Sequence, residues 1–327
     1  MKAVDRLAVL SRHLSTKNNP NLCLNNVAAV YTYDNPQFNY TLPNSILSDE
    51  QRKFYDDNGF LVIEKLIPDE LLDKFAQRFV DICDGKIDKG NMTLMKDISL
   101  SKTNAKGEFL YNKIQHISFD EVFTEYMFFP PLLDIVECFT GPNIMAVHSM
   151  LINKPPDVGT LSSRHPVHQD LYYFPFRPAK RIVASWTAMQ RITAENGCLF
   201  ALPGTHKGVL HRHDYPEWEG NVNKMYHGVR GFDSHPIVNL EMNKGDTVFF
   251  HPLLVHGSGP NLTKGFRKAI SFHYAASECE YIDVKGTIQE NIAKEVLETG
   301  KIKGMDLDYC MLWKLKSRLA RGSVINL

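Results

Sequence analysis

The sequence predicts an α+β domain in which helices lead into an antiparallel jelly roll of the cupin, or double-stranded β-helix, kind. Two observations carry that expectation. Helix signals fall early, and from Ile144 onward eight short strand-like runs follow one another, at 144–153, 166–173, 181–192, 198–202, 237–242, 246–251, 253–256 and 267–276. Helices gathered before a long β series mark a sheet with helical support, and short strands in series, with turn signals at Asn196-Gly197 and Asn243-Lys244-Gly245-Asp246, mark a jelly roll.

Taken in order, the chain opens with an extension, residues 1–40, followed by a single domain over 41–327. A length of 327 residues is compatible with two domains, but β sandwiches and barrels commonly use 200–250 residues as one unit. Residues 15–45 are rich in Asn, Pro, Ser and Thr and are expected to be loose. Ser48 with Gln51 three places later is a helix-start signature, and Gly59 stops that helix. Phe60 to Ile63 reads as a strand. Pro68-Asp69-Glu70 opens a second helix to about Asp84, and Pro130 to Phe139 a third. The stretch from Thr205 to Pro236 reads as an insertion between strands.

Composition excludes several classes. Lys and Arg number 37 and Asp and Glu 37, which argues against a general nucleic-acid or membrane-surface binder. No apolar run approaches the roughly 20 residues of a membrane span. The cysteines are scattered without any CxxC pair, the pattern of reduced thiols in an intracellular compartment.

The chemistry gathers at His168-Gln169-Asp170. Side chains of an extended segment alternate, so His168 and Asp170 converge while Gln169 turns aside. His256, at the end of a strand beside Gly257 and Gly259, is the candidate for a second imidazole, and together the three make a 2-His-1-carboxylate facial triad suited to non-haem iron. Arg267 opens the next strand, on a face shared with Ala269, Ser271 and His273. If that strand pairs with the preceding one through the loop 257–265, Arg267 lies within reach of the metal and can hold a carboxylate in a bidentate fork. The bland alternative is a capped turn with two surface histidines. His211, His213 and Asp214 repeat the two-residue spacing, but their flanks read as a solvated loop; His251 is as consistent with core packing as with orienting a ligand.

With Leu202-Pro203-Gly204-Thr205-His206-Lys207-Gly208 between them, these residues resemble the iron(II)- and 2-oxoglutarate-dependent oxygenases. The run His168-Gln169-Asp170-Leu171-Tyr172-Tyr173-Phe174-Pro175-Phe176-Arg177-Pro178, with Trp218-Glu219-Gly220 and Asp283-Val284-Lys285-Gly286-Thr287, resembles the phytanoyl-CoA dioxygenase family within them. The resemblance runs from about residue 40 to the C-terminus. It implies Fe(II) on His168, Asp170 and His256, 2-oxoglutarate and O2 as cosubstrates and ascorbate as reductant. It also implies that Arg267 binds the distal carboxylate of 2-oxoglutarate, with Lys113, Met150, Gln169 and Trp186 around it. The implied reaction is hydroxylation of the α-carbon of a branched or straight-chain acyl-CoA in fatty-acid α-oxidation, with release of succinate and CO2. Asp170 fits hydroxylation, since halogenating relatives carry a small residue there.

Lys154, Arg164, Arg177, Lys180, Arg181, Lys207 and Lys224 are candidate cations for the CoA phosphates. Tyr172 departs from relatives with another ring such as His there, a change that could alter the mouth of the site. Arg6-Leu7 and His13-Leu14, with five residues between, match the N-terminal peroxisomal address, which implies a peroxisomal location and an import receptor as partner. A mitochondrial presequence or a plain amphipathic start shares that spacing; Asp5 favours the peroxisome. Other readings of the whole are a family hydroxylase of a non-CoA small molecule, a non-catalytic metal-binding member acting as an interaction protein, and a cupin-type zinc or manganese enzyme, against which Arg267 argues.

Overall fold

The computed structural model describes residues 38–218, 222–302 and 307–327. The address motif at Arg6 to Leu14 lies outside the described residues. Helix α1 (Asp49–Asn58) is followed by β1 (Phe60–Ile63), α2 (Asp69–Cys83), β2 (Thr93–Lys96) and β3 (Tyr111–Gln115). Next come α3 (Thr124–Met127), α4 (Pro130–Thr140), β4 (Ile144–Lys154), β5 (His165–His168), β6 (Phe176–Arg177) and β7 (Ile182–Ala188). The chain continues through β8 (Leu199–Ala201), β9 (Val238–Leu240), β10 (Thr247–Phe250), β11 (His256–Ser258), β12 (Arg267–Ala276) and β13 (Glu280–Tyr281). It ends with α5 (Glu290–Ile302), α6 (Tyr309–Lys316) and β14 (Arg318–Arg321).

Local chemistry explains the first helix. The Ser48 hydroxyl accepts from the Gln51 backbone N–H at 3.2 Å while the Gln51 side chain accepts from Ser48 N at 2.9 Å, so two orphan donors are satisfied reciprocally. Gly59 ends the helix at φ +82, and a Cβ there would sit 2.5 Å from the His206 ring, so only glycine fits. Residues just before this helix are not loose. Asp56 accepts from the backbone N–H groups of Asn39 (2.7 Å) and Tyr40 (3.1 Å), and Leu42 N donates to Cys138 O at 2.7 Å, so a polar stretch is tied down by main-chain bonds that composition does not reveal.

Two sheets form an α+β jelly roll. The large one runs β1-β10-β7-β12-β4-β3-β2, with β14 on β4, and the small one β5-β11-β8-β9. Strand β12 is buried on both faces. Ile270, Phe272 and Tyr274 pack outward against Tyr55, Phe75, Leu132 and Phe139 of the helices, while Ala269 faces Trp186, Val248 and Phe250 between the sheets. Burying each large apolar side chain contributes about 1.5–3 kcal/mol, so helices and sheet form one core.

Three further expectations fail. The strand expected over 166–173 stops at His168, because Asp170–Tyr173 turns into a 3-10 segment whose carbonyls, at Leu171 and Tyr172, are taken with that of Phe174 by Gln289 Nε2 at 3.0, 3.0 and 3.1 Å. The strand expected over 253–256 is a turn ending at β11, with Leu254 N bonded to His251 O. The strands before and after the loop 257–265 do not pair: β11 joins β5 and β8, whereas β12 joins β4 and β7 in the opposite sheet. Strands β2, β3, β6, β13 and β14 and helices α3, α5 and α6 were not anticipated. The 205–236 stretch carries a short 3-10 turn and one isolated bridge, Asp214 to Gly228.

Candidate metal centre and cosubstrate pocket

The small sheet presents two imidazoles side by side. His256 on β11 pairs directly with His168 on β5, and their rings lie 4.3 Å apart. Asp170, at the start of the 3-10 turn, folds back so that its Oδ1 is 3.3 Å from His168 Nε2 and 3.8 Å from His256 Nε2. One ligand atom from each of the three lies within 4.8 Å of the others, and all three residues are buried.

Protonation suits a divalent cation. His168 Nδ1 donates to Pro166 O at 2.9 Å and His256 Nδ1 to Leu254 O at 3.0 Å; carbonyls only accept, so each Nδ1 carries the proton and each Nε2 turns a lone pair toward Asp170. Burial first, and then the neighbouring His168, pull the His256 imidazole down to about 4, so it is neutral at pH 7. Burial opposes the charge of Asp170, but the imidazoles around it and the hydrogen bond from His273 outweigh it and hold the carboxyl well below the usual carboxylate range. Two bare imidazole nitrogens and a carboxylate on one side of a point are the donor set that ferrous iron takes with three positions left open.

Sequence reasoning missed one neighbour. His273 Nε2 donates to Asp170 Oδ2 at 2.8 Å, fixing the carboxylate so that Oδ1 faces the imidazoles. The signal was present, since His273 shares the inward face of β12 with Arg267.

The three residues open on a cavity of about 200 Å³. Its floor is the inward face of β12 and β4, where Arg267 lies opposite Lys154, Ser271 opposite Met150 and His273 opposite His148. Arg267 is 1% exposed, and its Nε and Nη1 have no hydrogen-bond partner among the described residues. Burial lowers its guanidinium to about 10, still a cation at neutral pH. Buried N–H groups without acceptors are costly, and a ligand carboxylate would satisfy this pair. Trp186 lies 5.4 Å from the guanidinium, and Lys113 stands 4.6 Å over the Tyr226 ring, its ammonium lowered by burial to about 8. Lys113, Met150, Trp186 and Arg267 all line the cavity.

Other sequence candidates sit elsewhere. Gln169 does not line the cavity: alternation sends its fully buried amide the other way, where it donates to Val209 O (3.0 Å) and Leu253 O (2.8 Å) and accepts from His211 N (2.8 Å). It braces the turn from behind. Tyr172 likewise leaves the mouth and stacks on His213, ring centroids 4.2 Å apart. His213 Nε2 accepts from Gln169 N at 2.9 Å and is therefore part of that brace, not of a second metal site. His251 packs against Tyr40 and His206. Of the proposed phosphate cations, Lys154 is buried and donates to Ser258 Oγ and Gly259 O, and Arg177 donates to Gln289 and to the carbonyls of Phe174 and Phe176.

Known proteins match this chain closely. The mouse protein called "Phytanoyl-CoA dioxygenase, peroxisomal" is 51% identical over 334 residues, covering 100% of this chain and 99% of the relative. The human protein of that name is 53% identical over 296 residues, 89% and 88% of the two chains, and "Probable phytanoyl-CoA dioxygenase" of Caenorhabditis elegans is 52% identical over 304 residues, 88% and 97%. Among solved structures, EctD from S. alaskensis with 2-oxoglutarate and 5-hydroxyectoine shares the fold, with a TM-score of 0.57 and 19% identity over 73% of this chain and 80% of that one. The epimerase SnoN with Fe3+ and alpha ketoglutarate gives 0.55 and 16% over 72% and 86%. A family model described as "Phytanoyl-CoA dioxygenase (PhyH)" matches residues 55–269, the stretch that contains His168, Asp170, His256 and Arg267. By both the family match and the close relatives, this chain belongs to the phytanoyl-CoA dioxygenase family.

Proposed function

We propose that the protein is an iron(II)- and 2-oxoglutarate-dependent dioxygenase that hydroxylates C2 of phytanoyl-CoA or a related branched or straight-chain acyl-CoA. The observation that carries the reading is the conjunction, in one cavity, of a His-Asp-His cluster with bare Nε2 atoms and a buried guanidinium whose Nε and Nη1 lack acceptors among the described residues. His168, Asp170 and His256 hold the metal. Arg267 takes the distal carboxylate of the keto-diacid, with Lys113 as a second cation and Met150 and Trp186 as walls. Once bound, iron with 2-oxoglutarate supplies dioxygen activation: the keto-diacid is oxidised to succinate and CO2, one oxygen atom entering succinate and the other the substrate C–H bond as hydroxyl.

The chain's own residues place and protect that chemistry. Pro166 O and Leu254 O hold the two Nδ1 protons, so neither imidazole can turn its bare nitrogen away. His273 orients Asp170, and Gln169 and Gln289 lock the backbone of the 169–174 turn from the side away from the cavity. Phe250, Phe174 and Trp186 line the cavity with apolar surface that keeps bulk water from the reacting groups.

Residues 41–327 are read as the single catalytic domain. The mouse and human relatives carry peroxisomal names, and with the Arg6 to Leu14 motif this supports a peroxisomal location reached through an import receptor that reads residues 1–40. Ascorbate serves as the reductant that keeps iron ferrous. The test is succinate release across a panel of acyl-CoA thioesters and the matching free acids, with Asp170→Ala alongside. Thioester-dependent succinate that collapses in the variant is expected; equal rates in the variant would remove the metal assignment.

A further inference from the structure

The cavity has two chemically different ends. Arg267 and His273 stand six residues apart on the inward face of β12, so they mark its two ends. Because His273 holds Asp170, the three-residue cluster stands at the His273 end, and the guanidinium of Arg267, with Lys154 opposite it, occupies the other. Past the cluster the lining is mostly aromatic, with the Lys316 ammonium 5.2 Å over the Trp313 ring at its edge. Phe174 lies edge-on to both His273 (5.1 Å) and Trp313 (5.2 Å), and His148 lies 5.9 Å from Trp313. His148 Nδ1 is buried there without a hydrogen-bond partner among the described residues.

Part of this end is built from chain that the family match does not include. Trp313 and Tyr309 come from α6 and Val296 from α5, all beyond residue 269, yet all line the same cavity as the metal cluster. They are fastened to it: Tyr309 Oη donates to Tyr173 O at 2.6 Å, on the turn that starts with Asp170. Trp313 is only 5% exposed and is wedged between Phe174 and Phe176, so the wall is rigid.

We infer that this aromatic end receives the acyl part of the substrate and that Trp313 is the specificity-determining residue, setting how much branching beside the hydroxylated carbon is admitted. The inference rests on the function proposed above. A keto-diacid that bridges the metal and Arg267 fills the cationic end, so the carbon to be hydroxylated has to approach from the opposite side. There, Phe174, Val296 and Trp313 suit an alkyl chain, while the phosphates of CoA, which need water and cations, remain outside. A wall reached from Asp170 through His273 and Phe174 meets the carbons of the acyl chain beside the hydroxylated position, where a 3-methyl group projects.

The experiment compares a 3-methyl-branched and a straight-chain acyl-CoA of equal length, read as the ratio of their kcat/KM, in the full-length iron-loaded wild type, Trp313→Leu and Val296→Phe. Opening the wall is expected to raise the branched-to-straight ratio by about tenfold or more and filling it to lower the ratio by a similar factor, the range that one methyl group commands in a pocket. Val296→Phe carries the test alone if Trp313→Leu does not fold. Ratios within about twofold of wild type, or shifts in the same direction in both variants, overturn the inference and leave the proposed function standing. A wild-type protein that forms no succinate with any acyl-CoA sinks the proposed function itself, and the inference with it.

Discussion

Replacing His273 by Phe isolates one hydrogen bond at the metal centre. The ring keeps its place against Phe174 (5.1 Å) and Phe250 (6.5 Å), but the Nε2–H that reaches Asp170 Oδ2 at 2.8 Å is gone. Asp170 is buried, so its outer oxygen loses a charge-assisted bond that water cannot readily replace, a loss of about 1.5–3 kcal/mol. Part of that loss appears as a carboxylate freed to rotate, and removing such a partner typically weakens metal binding about 10–100-fold. The assay is a titration of the metal-free protein with Co(II), followed by its visible absorption, alongside thermal melting to separate site from fold. His273→Gln, which returns a donor at a similar reach, is expected to recover part of the affinity. If His273→Phe binds Co(II) as tightly as wild type, the carboxylate is held by something else and the argument for His273 fails.

Three further outcomes follow from the same geometry. Arg267→Ala removes the anchor of a buried charge pair, about 2–5 kcal/mol, and is expected to raise the dissociation constant for 2-oxoglutarate by well over tenfold; Arg267→Lys recovers it only partly, because an ammonium lacks the fork, and an unchanged constant in the Ala variant would contradict the assignment. Burial holds His206 at about 4 and His213 and His251 at about 3, so below pH 6.5 the unfolded chain binds protons that the folded one refuses. Stability is therefore full above pH 6.5 and declines as the pH falls from there toward 3, and the urea midpoint at pH 5 should lie below that at pH 7.5 by less in His251→Phe than in wild type; equal drops would clear His251 of any part. Gly197→Ala forces a side chain to φ +84 with its Cβ 2.6 Å from Gly259 O and 2.9 Å from Pro260 O, which costs at least about 1–3 kcal/mol; a urea midpoint equal to wild type would show that the loop 259–260 yields freely.

What the sequence made legible follows the range of each interaction. Strand β12 was readable because a run buried on both faces is mostly apolar, broken here by Arg267, Lys268, Ser271 and His273, and α1 was readable because its cap is written in two residues three apart. Strand β3, Tyr-Asn-Lys-Ile-Gln, is short and half polar, so nothing local marks it. Helix α5 carried a usable signal, Ile292, Ala293, Val296 and Leu297 at helical spacing, and Asp308 caps α6 through Met311 N at 2.7 Å. Sheet membership was the least legible property. His256 and Arg267 stand eleven residues apart and belong to opposite sheets, a choice made by partners as distant as His168 and Lys154. For the same reason Gln169 could be placed off the inward face by alternation, but not what it holds there.

That division between the sheets has a consequence for which keto acids the protein accepts. The metal cluster belongs to one wall and the guanidinium to the facing one, and both walls are backed by packed side chains, so the gap between them works as a fixed gauge for anything that must touch both. A five-carbon diacid that spans the gap sets the standard, one carbon fewer would leave the guanidinium ungripped, and one carbon more would have to buckle. Displacement of 2-oxoglutarate by oxaloacetate and by 2-oxoadipate measures the tolerance of that gauge, and equal potency of all three would mean that the walls adjust to their guest.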